Sequence, residues 1–262
     1  MSEAPSPDHL QVRLDDSVLW LTFDRPEILN AVDGEMMLAL ATELEGARAR
    51  DDVRVVVITG TGAGFSAGAD MASLRLAPEH PVETMDGANR VIRAVVGLDK
   101  PVLAAVNGIA AGVACSAALV SDIIVAAESA AFLLPFARIG LMTDGGSSAT
   151  VAASIGRARA MRMALLGEPM PAADALACGL ITHVAPDAEF TDLVARLARR
   201  LATGPAIAQS GIKKAINAAT LPHLEDALAR EHSGQRALFT TLDFAEGLDA
   251  FAEGRKPAFR GE

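Results

Sequence analysis

The sequence has no surplus of positive charge. Lysine and arginine number 23 against 33 aspartates and glutamates, a net charge of −10 over 262 residues with neutral histidines. A protein whose main partner is nucleic acid needs a basic surplus to neutralise phosphates, so this balance argues against one, while leaving room for a local basic pocket around a small anion. Cysteine is almost missing as well. Cys115 and Cys178 form no CxxC pair and have no histidine pattern nearby. They read as buried core thiols of a reducing compartment, which points to the cytoplasm and excludes a disulfide framework. The opening MSEAPSPDHL has neither a basic nor an apolar region of the kind a secretory signal needs and reads as a short frayed lead-in. No carboxylate and histidine spacing suggests a metal site. His9, His80, His183, His223 and His232 are scattered and read as surface residues. There is no low-complexity tract and no fixed-period repeat.

What the chain does have is apolar material, 51% of its residues, enough for the core of one large domain or a domain with a smaller appendage. The 21 residues between Lys100 and Asp122 carry no charge, near the roughly 20 that cross a bilayer. Pro101, Asn107, Gly108, Gly112, Ser116 and Ser121 interrupt them, so a strand, a glycine turn and a buried helix account for the run better than a membrane span.

The first two-thirds alternates strand-like and helix-like segments. Strands are expected at Val18–Phe23, Val53–Thr59, Val102–Val106, Asp122–Ala127 and Ala131–Leu134. Helices are expected from Asp33, an N-cap, to about Arg50, over Met85–Gly97 and from near Gly112. Such alternation predicts an α/β fold with parallel crossovers. After Gly145 helices dominate, at Arg157–Leu166, Ala172–Ala177, Glu189–Ala202, Pro205–Ala219, Pro222–Phe239 and Leu242–Ala252, with one strand at Ile181–Val184. Trp20 reads as core, Phe239, Phe244 and Phe251 as core or subunit contacts, and Lys213 and Lys214 as solvated. Val91, Ile92, Val95 and Leu98 read as the inward face of a helix.

Gly60-Thr61-Gly62-Ala63-Gly64 fits neither a dinucleotide fingerprint nor a phosphate-binding loop, because the spacing is GxGxG and no Gly-Lys-Ser/Thr follows. It reads as a strand-exit loop. Its continuation, Phe65-Ser66-Ala67-Gly68-Ala69-Asp70, and a second turn, Asn107-Gly108-Ile109-Ala110-Ala111-Gly112-Val113, both follow expected strands and are poor in side chains. Two such turns can each aim an N–H at one oxygen, as in an oxyanion hole, or can reflect tight packing alone. Asp144, in Gly140-Leu141-Met142-Thr143-Asp144-Gly145-Gly146, reads on its own as the N-cap of a following helix.

FSAGADM, KPVLAAVNGIAAGVACSAALVSDIIVAAESAAF, the following G-L-x-x-D-G-G and the terminal AFAEGRKPAFRG together resemble the enoyl-CoA hydratase/isomerase (crotonase) superfamily over about Val18 to Gly261. The resemblance implies a spiral of ββα units over residues 1–200, holding the CoA and active site, and a helical trimerisation region over 201–262. It also implies an acyl-CoA thioester substrate, no cofactor, and a homotrimer or dimer of trimers. Carried over by position, Ala69 and Val113 supply the oxyanion N–H groups. Arg25, Ala67, Gly68, Asp70 and Lys256 lie where the family contacts CoA.

Hydratases of the family carry two glutamates at positions that here read Ser116 and Phe136. Adding water across a double bond takes one group to activate water and another to protonate carbon. PFARIGLMTDGGSS is instead similar to the 3-enoyl to 2-enoyl CoA isomerase branch, which places one catalytic acid at the position of Asp144, usually the longer glutamate. Phe136 and Met142 would border the acyl chain, whose length depends on side chains in segments such as 72–90. Apolar neighbours would raise the Asp144 pKa and a helix N-terminus would lower it. Hydration, acyl-CoA hydrolysis through a covalent Asp144 ester, and a non-catalytic acyl-CoA-binding role are the alternatives.

Overall fold

The computed structural model describes residues 9–75 and 80–262, without the side chain of His80. The expected N-terminal lead-in up to Asp8, the surface reading of His80 and positions 76–79 of the expected acyl-pocket segment lie outside the described residues. The strands are β1 (Leu10–Asp15), β2 (Val18–Phe23), β3 (Val55–Gly60), β4 (Gly64–Ser66), β5 (Val102–Val106), β6 (Ile109–Ala111), β7 (Ile123–Ala127), β8 (Ala131–Leu133), β9 (Met170–Pro171) and β10 (His183–Ala185). One sheet runs β1-β2-β3-β5-β7-β10, parallel except for the β1–β2 hairpin. The other runs β4-β6-β8-β9, parallel except for β9.

After the hairpin comes α1 (Gly34–Ala47), and the chain then winds three times. Strands β3 and β4 lead into α2 (Met71–Leu74) and α3 (His80–Gly97), β5 and β6 into α4 (Gly112–Leu119), and β7 and β8 into α5 (Ser147–Leu166). Each turn lays one strand in each sheet and then a helix, which is the expected ββα spiral. Helices α6 (Ala172–Ala177), α7 (Phe190–Ala202), α8 (Ala206–Thr220), α9 (Leu224–Leu238) and α10 (Leu242–Glu253) complete the chain.

The composition explains the layering. Every residue of β5 and of α4 is buried, so neither has a polar face, and this pair with β6 between them makes up most of the charge-free run from Pro101 to Ser121. A parallel strand covered on both sides reads as a continuous apolar run rather than an alternation. Helix α1 starts where expected, with the Asp33 carboxylate accepting the Met36 N–H at 2.9 Å, and packs on α3. There Gly87 sits against Met37 so closely that a Cβ would come within 2.9 Å of its side chain. Among the described residues no helix is long and apolar enough to cross a membrane.

Several expectations need correction. Strand β1 was not expected, because its hairpin turns through Asp16 and Ser17, both at positive φ (46° and 64°), without the Asn-Gly or Asp-Gly pair that advertises such a turn. Helix α5 begins ten residues before the expected Arg157, and its small polar first half is broken from the rest at Gly156 (φ 76°, ψ 161°). Cys115 is fully buried, its thiol pushed up to about 12 by that burial, but Cys178 is only half-buried. Trp20 packs against the core as expected but is only half-buried, with the Arg13 guanidinium 5.2 Å from its ring centre.

Lys213 departs furthest from its expected solvation. It is 7% exposed, and its ammonium donates to Val95 O (2.7 Å), Lys100 O (3.2 Å) and the Asp122 carboxylate (2.8 Å), tying α8 to the core at the start of β7. Lys214, one residue on, pairs with Asp99 in solvent, as expected. Removing one partner of a buried pair strands the other charge, whereas exposed pairs contribute little. Lys213→Met should therefore lower the unfolding free energy by about 3 kcal/mol and Lys214→Met by under about 1 kcal/mol, as read by urea denaturation.

Candidate active site

Strands β4 and β6 are parallel neighbours, so the turns that leave them lie side by side. Gly68 (φ 88°) and Gly112 (φ 54°) allow the contact: a Cβ on Gly68 would stand 2.8 Å from Ala111 O, and either residue with a side chain would be strained at its backbone angles. Ala69 follows the first glycine and bridges to Val32. Val113 follows the second, in the first turn of α4, where helix geometry provides no internal partner for its N–H and Ala111 supplies no capping side chain. Both line one cavity of about 700 Å³.

Asp144 lines the same cavity from the loop before α5 and is 6% exposed. It does not cap the helix. Glu231 of α9, 1% exposed, does that by accepting the N–H groups of Gly146 (2.6 Å) and Ser148 (2.9 Å). The Asp144 carbonyl accepts the Ser116 (2.9 Å) and Ser147 (2.8 Å) hydroxyls. Its Oδ2 accepts the Gln235 side-chain amide at 2.9 Å, and its buried Oδ1 has no partner among the described residues. Burial pushes the Asp144 carboxyl up to about 7, with the Gln235 amide pulling against it and the nearby Glu231 carboxylate adding to it. Desolvation wins over the helix N-terminus because Glu231 has taken that end of α5.

The candidate CoA contacts divide. Ala67, Gly68, Asp70 and Lys256 line the cavity. Arg25 does not: its guanidinium turns inward to Ala31 O (3.1 Å), Asp33 (3.4 Å) and Asp70 (3.1 Å), clamping the caps of α1 and α2 together. Both Asp70 oxygens are engaged, one by Arg25 and one by the N–H groups of Ala72 and Ser73. Burial pushes its pKa up, but those backbone N–H groups and Arg25 outweigh it and hold the carboxyl below the usual range. Phe136 borders the cavity, as does Leu141. Met142 does not; its sulfur packs against Gly234, and its N–H donates to Gln235 Oε1. Phe251, expected in a core or a subunit contact, is 63% exposed and lines the cavity, with Phe239.

Several contributors were not foreseen. Gln235 and Glu231 sit in a helix whose sequence carries no motif. Arg138 and Arg255, both exposed, join Lys256 among the lining residues. Asn30, fully buried and at φ 56°, accepts the Arg25 N–H and donates to Thr61 O and Gly64 O, fixing the loop under the first turn. Four lining residues, Gln235, Gly247, Ala250 and Phe251, come from α9 and α10, and Phe239 directly follows α9, so the cavity extends beyond residue 200 into the C-terminal helices. His232, read as an unpaired surface residue, is partly buried and meets Asp86 at 2.9 Å. Among the described residues no group of three potential ligands could hold a metal ion.

The family model for Enoyl-CoA hydratase/isomerase matches residues 13–262. The chain belongs to the enoyl-CoA hydratase/isomerase family. As an enzyme of that family it is 38% identical over 254 residues to the 1,2-epoxyphenylacetyl-CoA isomerase of Escherichia coli (strain K12), covering 95% of this chain and 97% of that one. It is 34% identical over 245 residues to the 2,3-dehydroadipyl-CoA hydratase of the same organism, with 93% and 95% covered. The crystal structure of an enoyl-CoA hydratase from Mycobacterium avium subsp. paratuberculosis K-10 superposes with a TM-score of 0.91 at 46% identity, over 96% of this chain and 98% of that one. Members of the enoyl-CoA hydratase/isomerase family thus share this fold under both hydratase and isomerase names.

The raised carboxyl of Asp144 has a measurable effect on stability. Folded, it keeps its proton up to about pH 7, while unfolded it loses it near the ordinary 3.8. The folded state binds more protons between those values, so this contribution to stability is full at low pH and is lost as pH rises through 7. Asp144→Asn should raise the unfolding free energy at pH 8 by up to about 4 kcal/mol, with the gain shrinking toward zero near pH 4. Denaturant titrations of both proteins across that range measure it; equal stability at pH 8 would mean the carboxylate is solvated.

Proposed function

We propose that the chain is an acyl-CoA isomerase that moves a 3-enoyl-CoA double bond to the 2-position. The observation that carries this is Asp144, which lines the cavity and whose buried Oδ1 has no hydrogen-bond partner among the described residues. Among the described lining residues the other carboxylate is Asp70, whose two oxygens are both occupied. One free carboxylate suits a reaction in which the same group removes and returns a proton. It does not suit hydration, where two groups divide the work. Neither position of the missing glutamates restores a second group: Ser116 is fully buried with its hydroxyl on Asp144 O and Gly112 O, and Phe136 has no proton to give.

In the proposed reaction the thioester carbonyl sits between the N–H groups of Ala69 and Val113. Ionised Asp144 takes a proton from C2, and the C–H electron pair delocalises into a dienolate whose oxygen those two donors stabilise. A donor of this kind is typically worth about 3 kcal/mol in the transition state. The proton then passes from Asp144 to C4, which leaves the double bond conjugated with the thioester. Ala67, Gly68 and Asp70 lie on the wall next to the first donor, and the exposed Arg138 and Lys256 offer positive charge for the nucleotide phosphates, whereas Arg255 is already paired with Glu246 and Glu253. A carboxyl near 7 ionises readily at neutral pH and still holds a transferred proton long enough to return it. The proposal includes the homotrimer or dimer of trimers that the resemblance implies, for which the exposed Ile207, Ile212 and Ile216 of α8 supply apolar surface.

The relative named for isomerising 1,2-epoxyphenylacetyl-CoA makes an aryl epoxide thioester the second substrate to assay. With 3-enoyl-CoA esters, Asp144→Asn and Asp144→Ala should each cut turnover by about 10³-fold while acyl-CoA binding survives. Wild-type kcat/KM should climb with pH to a plateau above about 7, following ionisation of Asp144. Product formed in H₂¹⁸O should carry no label. Full turnover in both variants, or ¹⁸O in the product, rules the reaction out.

A further inference from the structure

We propose that Gln235 is a positioning residue for Asp144: by occupying Oδ2 it leaves Oδ1 as the one carboxylate oxygen that exchanges a proton with the substrate, an assignment that rests on the isomerase reaction above. Gln235 is fully buried on α9. Its Oε1 accepts the Met142 N–H at 3.1 Å. A backbone N–H can only donate, so the amide oxygen has to face Met142 and the NH₂ has to face Asp144, which it meets at 2.9 Å. The orientation of this amide is therefore dictated by its partners. One side chain grips the catalytic loop twice, at residues 142 and 144.

The rest of the loop is held from other directions. Ser116 of α4 and Ser147 of α5 both donate to the Asp144 carbonyl. Gly145 follows at φ 63°, and a Cβ there would meet the Ser116 side chain at 2.7 Å. These contacts fix the main chain but not the carboxylate, whose last torsion is broad and roughly two-fold. Gln235 removes that freedom. Its bond also survives the catalytic cycle: when Oδ1 is charged the N–H donates to a carboxylate, and when Oδ1 is protonated it donates to the remaining carbonyl oxygen. Asp144 thus has no need to turn between taking a proton from C2, whose bonding pair enters the dienolate, and releasing it to C4, when the O–H pair returns to Oδ1.

Other charges face this carboxylate. Glu231, one turn earlier on α9, is the nearby acid; Asp70, Arg138, Arg255 and Lys256 line the cavity, and α4 presents the neutral Ser116. The test uses the full chain with Gln235→Leu and Gln235→Glu. The leucine variant loses the donor and frees the carboxylate, so kcat should fall by about 10²-fold with KM changed less than about threefold. The glutamate variant keeps an acceptor for Met142 but sets a second carboxyl against Oδ2. Its two acids then share a proton, and the acid limb of the pH–rate profile should move up by at least about one unit. Carbon-13 NMR of the Asp144 carboxyl, assigned with Asp144→Asn, reads the same displacement without substrate.

If both variants lose only thermal stability, with the pH limb and the Asp144 titration where they are in the wild type, Gln235 is merely structural and the proposal is overturned. If the wild type leaves 3-enoyl-CoA esters unchanged but the titration still moves with Gln235, the isomerase reaction is lost and the control of Asp144 by Gln235 is supported.

Discussion

An ionised carboxylate in an apolar cavity is costly, and the arrangement around Asp144 is organised by that cost. A buried acid normally escapes it by capping a helix or pairing with a base. Asp144 stands three residues before α5, close enough to do the first, yet Glu231 reaches over from α9 and takes the N–H groups of Gly146 and Ser148. The helix end is satisfied by a second acid, and the first is left with one neutral donor and one bare oxygen. The outcome is an acid held near 7 rather than near 4. Glu231 acts twice here, by removing the helix end as a partner and by adding its own charge nearby.

The fold supplies the other half of the site through strand pairing. Because β4 and β6 are parallel neighbours, each turn of the spiral ends at the same edge of the small sheet, and the backbone leaving one strand touches the backbone leaving the next. Gly68 is required there by its positive φ and by the absence of room for a Cβ, Gly112 by its positive φ alone. The strands behind these main-chain donors are largely buried, β4 throughout and β6 at Ala110 and Ala111. The third turn of the spiral, through β7 and β8, delivers the Asp144 loop to the same cavity.

Most of this fold could be read from the residues. Long β-branched strands such as Val55 to Ile58, the charge-free run through α4 and the Asp33 cap are local signals, and each stands where it was expected. The side-chain-poor turns at Gly68 and Gly112, and Asp144 itself, were also visible, since small residues and glycine leave a mark on the sequence whatever surrounds them. What could not be read is long-range. Gln235 and Glu231 lie about 90 positions from the loop they hold, in a helix whose polar residues look like any solvated face. Lys213 looked like its neighbour Lys214, and only the placement of Asp122 under α8 distinguishes the two. Arg25 stood where a CoA contact was expected, but its guanidinium goes to two helix caps, Asp33 and Asp70.

In the proposed reaction Ser116 is one scaffold position that changes the chemistry without changing the fold. A glutamate there would put a second carboxylate beside Asp144, and two acids so close would compete for one proton. The serine avoids that conflict, and its hydroxyl instead bonds the carbonyl of the residue that remains. Phe136, at the other position, contributes an apolar wall where a water-activating group would otherwise stand. Both residues act in one direction in the proposed reaction, leaving Asp144 as the single proton carrier. In the proposed reaction that is the requirement: a proton lifted from C2 has to reach C4 on the oxygen that took it, and a nearby water or second acid would offer it another route.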